Sequence, residues 1–372
     1  MAELIPMSSA DLDESDIDAV LAVMRSGRLA LGPKAPEFEK ALAAYVGVRN
    51  AVAVSSGTAA LHLITRALHL GPGDDVLVPS FTFAASVNVL LYEGATPVFV
   101  DIEPETYNLD PAELERKRTP RTKAIMAVDV FGHPAEWDEI VRFARRYGLK
   151  VIDDSCEALG AEYRGRRLGS FGDAAAFAFY PNKQMTTGEG GMIVTNDDAL
   201  AAACRSMRNQ GRGEMGAWLE HERLGFNYRL NEMAAALGSS QLRRLDVFLE
   251  KRRAVADLYA RYLQPFAEVR VPCSLDQVRR SWFVYVVTLA EGLDRDAVIR
   301  DLGAEGIPAR GYFSPIHMQQ YIRSRRDIRV LPLPVTEAIA RRTVALPFHN
   351  NLAETQVARV VEALLRVVRR QK

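Results

Sequence analysis

The chain has 372 residues, 48% of them hydrophobic and 25% charged, with 47 Lys plus Arg against 47 Asp plus Glu. That length exceeds one typical core, so a large domain plus a smaller one is expected. Zero formal net charge argues against nucleic acid or an anionic membrane surface as the main partner.

The N-terminus, "MAELIPMSSADLDESD", lacks the basic start and apolar stretch of a secretory signal. No run of about 18 apolar residues occurs, so no membrane-spanning helix is expected. From about residue 49 to 195, strand-like runs follow one another: "AVAVSS", "DVLVPS", "TPVFVDI", "AIMAVDVFG", "KVIDD", "AAAFAFY" and "GMIVTN". Helical segments such as "TAALHLITRALHL" (58–70) and "AEWDEIVRFARRYG" (135–148) lie between the first five. This rhythm predicts an α/β fold with a mostly parallel sheet covered by helices. Only a glycine-rich turn separates the last two strands, so one of them is expected to run antiparallel. A long helical segment follows at 230–263, with a bend expected at Gly238. Then come a strand, "SWFVYVVTLA", a helix, "RDAVIRDLGAEG", and a closing helix from Glu354. The division expected is a large domain over 1–245, including an N-terminal arm, and a small α+β domain over 246–372. Cys156, Cys204 and Cys273 are far apart and odd in number, fitting neither a disulfide framework nor a zinc site. No metal is expected, and a reducing cytoplasm is the simplest location.

Three motifs carry chemistry. In "VAVSSGTAALHL" a strand ends in Ser55-Ser56-Gly57 and a helix begins near Thr58. By itself this fits an ordinary Ser/Thr cap or an anion cradle. In "VIDDSCEALGA" the adjacent Asp153 and Asp154 close a predicted strand. Their side chains must point to opposite faces, so at most one meets a ligand. In "FYPNKQMTTGEGG", Lys183 sits between a strand and a glycine-rich turn. A lone lysine is most often a surface charge. Together, an amine, a carboxylate and an anion cradle at the strand ends of one sheet are what pyridoxal phosphate (PLP) requires.

The stretches "GRLALGPKAPEFEKALAAYVGV", "VLVPSFTFAASVN", "ATPVFVDIEPETYNLD", "LGFNYRLNEMAAALGSSQL" and "GIPARGYFSPIH", with the three motifs above, resemble the DegT/StrS-type sugar aminotransferases. These are PLP enzymes with the aspartate-aminotransferase fold, fold type I, and the resemblance covers nearly the whole chain. It implies that Lys183 is the Schiff-base lysine and Asp154 the acid paired with the pyridine nitrogen. Gly57, Thr58 and Ala59 would offer N–H groups to the phosphate, and Phe83 a ring stacked on the cofactor. Asn227 and Arg229, in "GFNYRL", match residues that the family lends to the neighbouring subunit's site, which implies a homodimer with shared active sites. Arg28, Lys34, Tyr312 and His317 are candidate substrate contacts.

Two positions depart from the family pattern. Ala178 stands where many relatives carry a phosphate-binding serine. Glu157 stands where many carry Gln or His near the cofactor's phenolic oxygen, and its charge would repel a phenolate. The resemblance implies transfer of an amino group, L-glutamate being the usual donor, to the 3- or 4-keto group of a nucleotide-linked sugar. The rival readings are a PLP-dependent sugar dehydratase or lyase and a non-catalytic PLP-binding regulator. Some relatives with histidine in place of the lysine remove a hydroxyl instead, and Lys183 argues against that chemistry here.

Overall fold

The computed structural model describes residues 5–213, 220–273 and 275–371. Five strands come first: β1 (Asn50–Val54), β2 (Asp75–Pro79), β3 (Thr96–Val100), β4 (Thr122–Val128) and β5 (Lys150–Asp154). A short hairpin of β6 (Glu162–Tyr163) and β7 (Arg166–Arg167) precedes β8 (Ala174–Ala178) and β9 (Gly191–Thr195). Seven of these form one sheet in the order β1-β9-β8-β5-β4-β2-β3. β9 is antiparallel to both its neighbours, while the other pairs are parallel. The cause is the one read in the sequence. Residues 179–190 contain no helix, so the chain cannot cross over and must return beside β8.

Alternation along each strand divides the large core in two. Val52, Ile152, Ala176 and Ile193 pack under the helices Gly57–Ala67 and Ala84–Tyr92. Ala53, Phe177, Met192 and Val194 pack on the other face with Phe38 and Leu42 of the helix Lys34–Val46. Full burial of a Val or Phe side chain stabilises by about 1.5–3 kcal/mol, so both layers hold the sheet. The strand ends that carry Ser55, Asp154 and Lys183 consequently lie along one edge. That edge is where ligands bind in open parallel sheets.

The long helical segment is broken at Arg244 (φ −107°, ψ 3°), between the helices Glu232–Arg243 and Leu245–Leu263, and not at Gly238. Gly238 has a different duty. A Cβ there would lie 2.7 Å from the Phe38 ring, so the glycine permits close helix packing.

The remaining strands are β10 (Val269–Arg270), β11 (Val278–Arg279), β12 (Tyr285–Leu289) and β13 (Thr343–Leu346). β10, β12 and β13 form a second sheet, while β11 pairs with β6. Tyr259, Val287, Leu346 and Leu364 share a separate core there, which Ile5 from the N-terminus also enters. The strand expected over 281–290 is shorter than its sequence suggests, because Ser281 turns back to donate its N–H to Gly132 O at 3.1 Å. Among the described residues, no helix is long and apolar enough to cross a membrane.

Candidate active site

A cavity of about 400 Å³ opens at the strand-end edge, lined by Gly57, Thr58, Phe83, Asp154, Glu157, Lys183 and Tyr312, among others. Ser56 caps the helix Gly57–Ala67 by accepting the Ala59 N–H on Oγ at 3.1 Å. Ala59 is thereby engaged and, contrary to expectation, does not line the cavity. Among the described residues the N–H groups of Gly57 and Thr58 have no partner. A Cβ on Gly57 would lie 2.7 Å from Ala178 Cβ and 2.9 Å from Cys156 Sγ, so the helix start needs glycine to sit this close to β8.

Asp154 is buried at the end of β5. Its Oδ2 accepts from Ser86 Oγ at 2.6 Å and its Oδ1 from the Cys156 N–H at 3.2 Å. Ser86 Oγ also lies 2.8 Å from Thr82 Oγ1. Asp153, one residue earlier, points to the opposite face, as the pleat requires. There Ser155 Oγ lies 2.7 Å from both Asp153 Oδ1 and Asp129 Oδ2, and Gly169 N–H donates to Asp153 Oδ2. Only Asp154 lines the cavity.

Burial raises both carboxyls of this hidden pair, Asp129 to about 6, and the two acids also raise Asp153 through their mutual repulsion. The folded chain therefore retains a proton that an unfolded chain, with ordinary carboxylates near 4, has already released. Each acid's contribution to stability is full below about pH 4 and is lost as pH rises through its own raised pKa, about 6 for Asp129. Thermal melts from about pH 4 upward should show a smaller fall in stability for Asp153→Asn than for the unaltered protein. Activity should change little. Parallel stability profiles for the two proteins would refute the shared-proton reading.

Lys183 follows β8, and its Nζ projects into the cavity with 13% of the side chain exposed. Nζ lies 3.7 Å from Glu157 Oε1 and 3.8 Å from the centroid of the Phe283 ring. Its backbone is held from two directions. The Lys183 N–H donates to Tyr180 O, and the Lys183 carbonyl accepts from Arg252 Nη2 at 2.8 Å. Buried Arg252 also donates to the carbonyls of Trp282 and Phe283, tying the lysine loop to the second sheet's approach segment. Glu157 is buried as well, with Oε2 accepting the Phe131 N–H at 3.0 Å. Burial raises its carboxyl above the usual range, and Lys183 pulls it part of the way back.

Phe83 is 65% exposed at the cavity's rim, so core packing does not explain its ring. Tyr312 lines the same space, and its phenol is raised by burial. Other expected contacts lie elsewhere. His317 is outside the cavity lining, with Nδ1 2.7 Å from Ser80 Oγ and Nε2 3.6 Å from Glu337. Arg28 is exposed and donates to Leu31 O, while Lys34 pairs with Glu37 at 2.7 Å. Asn227 is exposed and Arg229 donates to Asn209 Oδ1 at 2.9 Å; neither lines this chain's cavity. Ser86, Arg252, Phe283 and Gln184, whose Nε2 donates to Glu157 O at 2.6 Å, were not singled out from the sequence. Ser86 had a faint signal, an extra hydroxyl in "SFTFAAS"; the other three had none.

The donor set fits a phosphate-bearing pyridine aldehyde. It offers an amine for the aldehyde, a buried carboxylate for the ring nitrogen, and two free N–H groups at a helix start for the phosphate.

The model of the DegT/DnrJ/EryC1/StrS aminotransferase family matches residues 10–365. GDP-perosamine synthase of Caulobacter vibrioides is 44% identical over 98% of each chain. Helicobacter pylori PseC, an aminotransferase involved in the biosynthesis of pseudoaminic acid, superposes with a TM-score of 0.94 at 30% identity, covering 99% of this chain and all of that one. A Streptococcus pneumoniae protein, solved in its PLP form, superposes with a TM-score of 0.93 at 27% identity over the full length of both.

Proposed function

Because the chain belongs to the DegT/DnrJ/EryC1/StrS aminotransferase family, we propose that it moves an amino group from L-glutamate to the 3- or 4-keto group of a nucleotide-linked sugar. It is a PLP-dependent aminotransferase of fold type I. The observation that carries the proposal is the pairing of Lys183 and Asp154 in one cavity behind an open helix start. A relative named for a GDP-linked product supports a nucleotide-linked acceptor.

When bound, PLP supplies an aldehyde that links to amines and a ring that takes up the electron pair left behind by a departing proton. Lys183 Nζ would hold the cofactor at rest and, once freed, would be the base that takes a proton from the donor α-carbon and the acid that returns it. Asp154 would hold a proton on the ring nitrogen, and Ser86 Oγ and the Cys156 N–H keep its oxygens aimed. Gly57 and Thr58 would hold the phosphate through their N–H groups, aided by the helix dipole. Phe83 would cover the ring, and Tyr312 would contact the sugar.

The decisive assay incubates the enzyme with glutamate and a panel of nucleotide-linked 3- and 4-keto sugars. Amino-sugar nucleotide and 2-oxoglutarate should appear together. Loss of a sugar hydroxyl without nitrogen transfer would point to dehydration, and turnover of no panel member would point to a regulator.

Glu157 is assigned to the charge on Lys183 Nζ. A carboxylate 3.7 Å away stabilises the protonated nitrogen.

The working unit is a cytoplasmic homodimer in which Asn227 of the partner subunit reaches the phosphate, with Arg229 of the partner subunit close to the phosphate or a substrate anion. The exposure of Asn227, outside its own chain's cavity lining, supports this. Asn227→Asp and Lys183→Ala should each be nearly inactive. Refolded together in equal amounts, they should recover about a quarter of the sites, since each mixed dimer regains one intact site. Confirmed co-assembly without recovery would place Asn227 outside the site.

A further inference from the structure

A second cavity, of about 200 Å³, shares no lining residue with the first; Arg253, Asp257, Cys273, Arg280, Trp282 and His133 contribute to its wall. We infer that it binds a hydroxyl-bearing oxyanion of the hydrogen-phosphate class, with Arg280 donating to the anion and His133 accepting from its hydroxyl.

The charges around this space are mostly spoken for. Arg279 pairs with Glu250 at 2.8 Å and Glu162 at 3.6 Å, and Arg253 lies 4.0 Å from Asp257. Arg280 differs. Its Nε donates to Phe131 O at 3.2 Å and its guanidinium lies 4.2 Å from the Trp282 ring centroid. Among the described residues no carboxylate pairs with it. A guanidinium has five N–H donors in a planar fork, and this bond uses one of them. Burial lowers its pKa to about 10, which leaves it cationic at neutral pH. Half-buried and without a carboxylate partner, this cation favours an anion in the cavity.

His133 supplies the second half of the specificity. It is 1% exposed, and its Nδ1 lies 2.8 Å from Pro134 O. A carbonyl only accepts, so Nδ1 carries the hydrogen and Nε2 presents a lone pair. Among the described residues, that Nε2 is buried without a partner. Burial, reinforced by the Arg280 charge, lowers the ring's pKa to about 4, so the lone pair persists at neutral pH. The occupant must therefore accept from a guanidinium and donate an O–H to an imidazole. Hydrogen phosphate does both; sulfate only accepts. The cavity is several times the roughly 30 Å³ share of one liquid water, so there is room for a small anion.

The test uses the cofactor-loaded enzyme, dialysed against radiolabelled inorganic phosphate in a phosphate-free amine buffer near neutral pH. One Arg280-dependent phosphate per chain is expected. Sulfate should compete about tenfold more weakly, for want of the hydrogen bond to Nε2. Arg280→Gln should lose the site, and Arg280→Lys should retain it weakened. A hydroxyl-bearing sugar phosphate is the third ligand: stronger binding than inorganic phosphate identifies a metabolite as the natural occupant, weaker binding identifies free phosphate, and either supports the site. Phosphate binding that is equal in Arg280→Gln overturns the proposal. So does sulfate competing as well as phosphate, a comparison that needs no variant and survives a misfolded Arg280→Gln.

Discussion

Lys183→Ala is expected to bind PLP and to transfer no amino groups. The phosphate cradle at Gly57 and Thr58 and the acid at Asp154 are untouched by the change, so the cofactor keeps its non-covalent anchors. What disappears is the amine that carries the cofactor and moves the proton. A positioned acid–base group contributes about 10²–10⁴-fold, and loss of the covalent link adds to that, so the rate with glutamate should fall by about 10³-fold or more. Borohydride treatment followed by peptide mass spectrometry should fix the cofactor to Lys183 in the unaltered enzyme and to no residue in the variant. An adduct on a different lysine would remove Lys183 from its role. The loop's geometry should survive the substitution, because Arg252 grips the Lys183 carbonyl and not its side chain.

Asp154→Asn is expected to produce the second large loss, with the cofactor mostly retained. A carboxylate favours the protonated ring nitrogen by opposing its charge; a neutral amide does not. Removing one partner of a buried, hydrogen-bonded charge pair costs about 3–5 kcal/mol, which corresponds to roughly 10²–10⁴-fold in rate. The loss should fall mainly on kcat, since the electron pair is taken up during turnover and not on binding. Ser86→Ala, which removes the 2.6 Å bond to Asp154 Oδ2, should cost about tenfold in the same direction. Asp153→Asn is the control, because that side chain lies on the other face of β5. If Asp153→Asn were the crippling change and Asp154→Asn benign, the assignment between the two acids would be reversed.

Much of the active site was legible in one dimension. Runs of β-branched and small residues marked seven strands at the places where the sheet has them, and the want of a helix between β8 and β9 predicted the antiparallel return. Adjacent Asp153 and Asp154 had to face opposite ways because a strand repeats every two residues, and they do. Strand ends of one parallel sheet fall on one edge, so strand direction alone brings Ser55–Thr58, Asp154 and Lys183 together. These conclusions depend on local period and on strand direction, which a sequence records.

Only the tertiary structure decided which distant residues meet. Arg252 sits 69 positions from the carbonyl it holds, and Ser86 sits 68 from the carboxylate it orients. Nothing in "LEKRRAVAD" distinguishes a buried clamp from a solvated arginine, because the pattern of a helix names its faces and not what lies opposite them. Packing also overruled local propensity. Gly238 continues its helix because Phe38 occupies the space a side chain would need, and the break falls at Arg244 instead. The same cause took His317 away from the cavity, because Ser80 holds the imidazole; Ala59 was lost to a local cap, its N–H taken by Ser56 three residues earlier. Arg280 and His133, 147 positions apart, line one space for the same reason. Periodicity dictates the direction in which a side chain leaves its own backbone, but its partner is set by how whole elements stack, and that is a property of the folded chain alone.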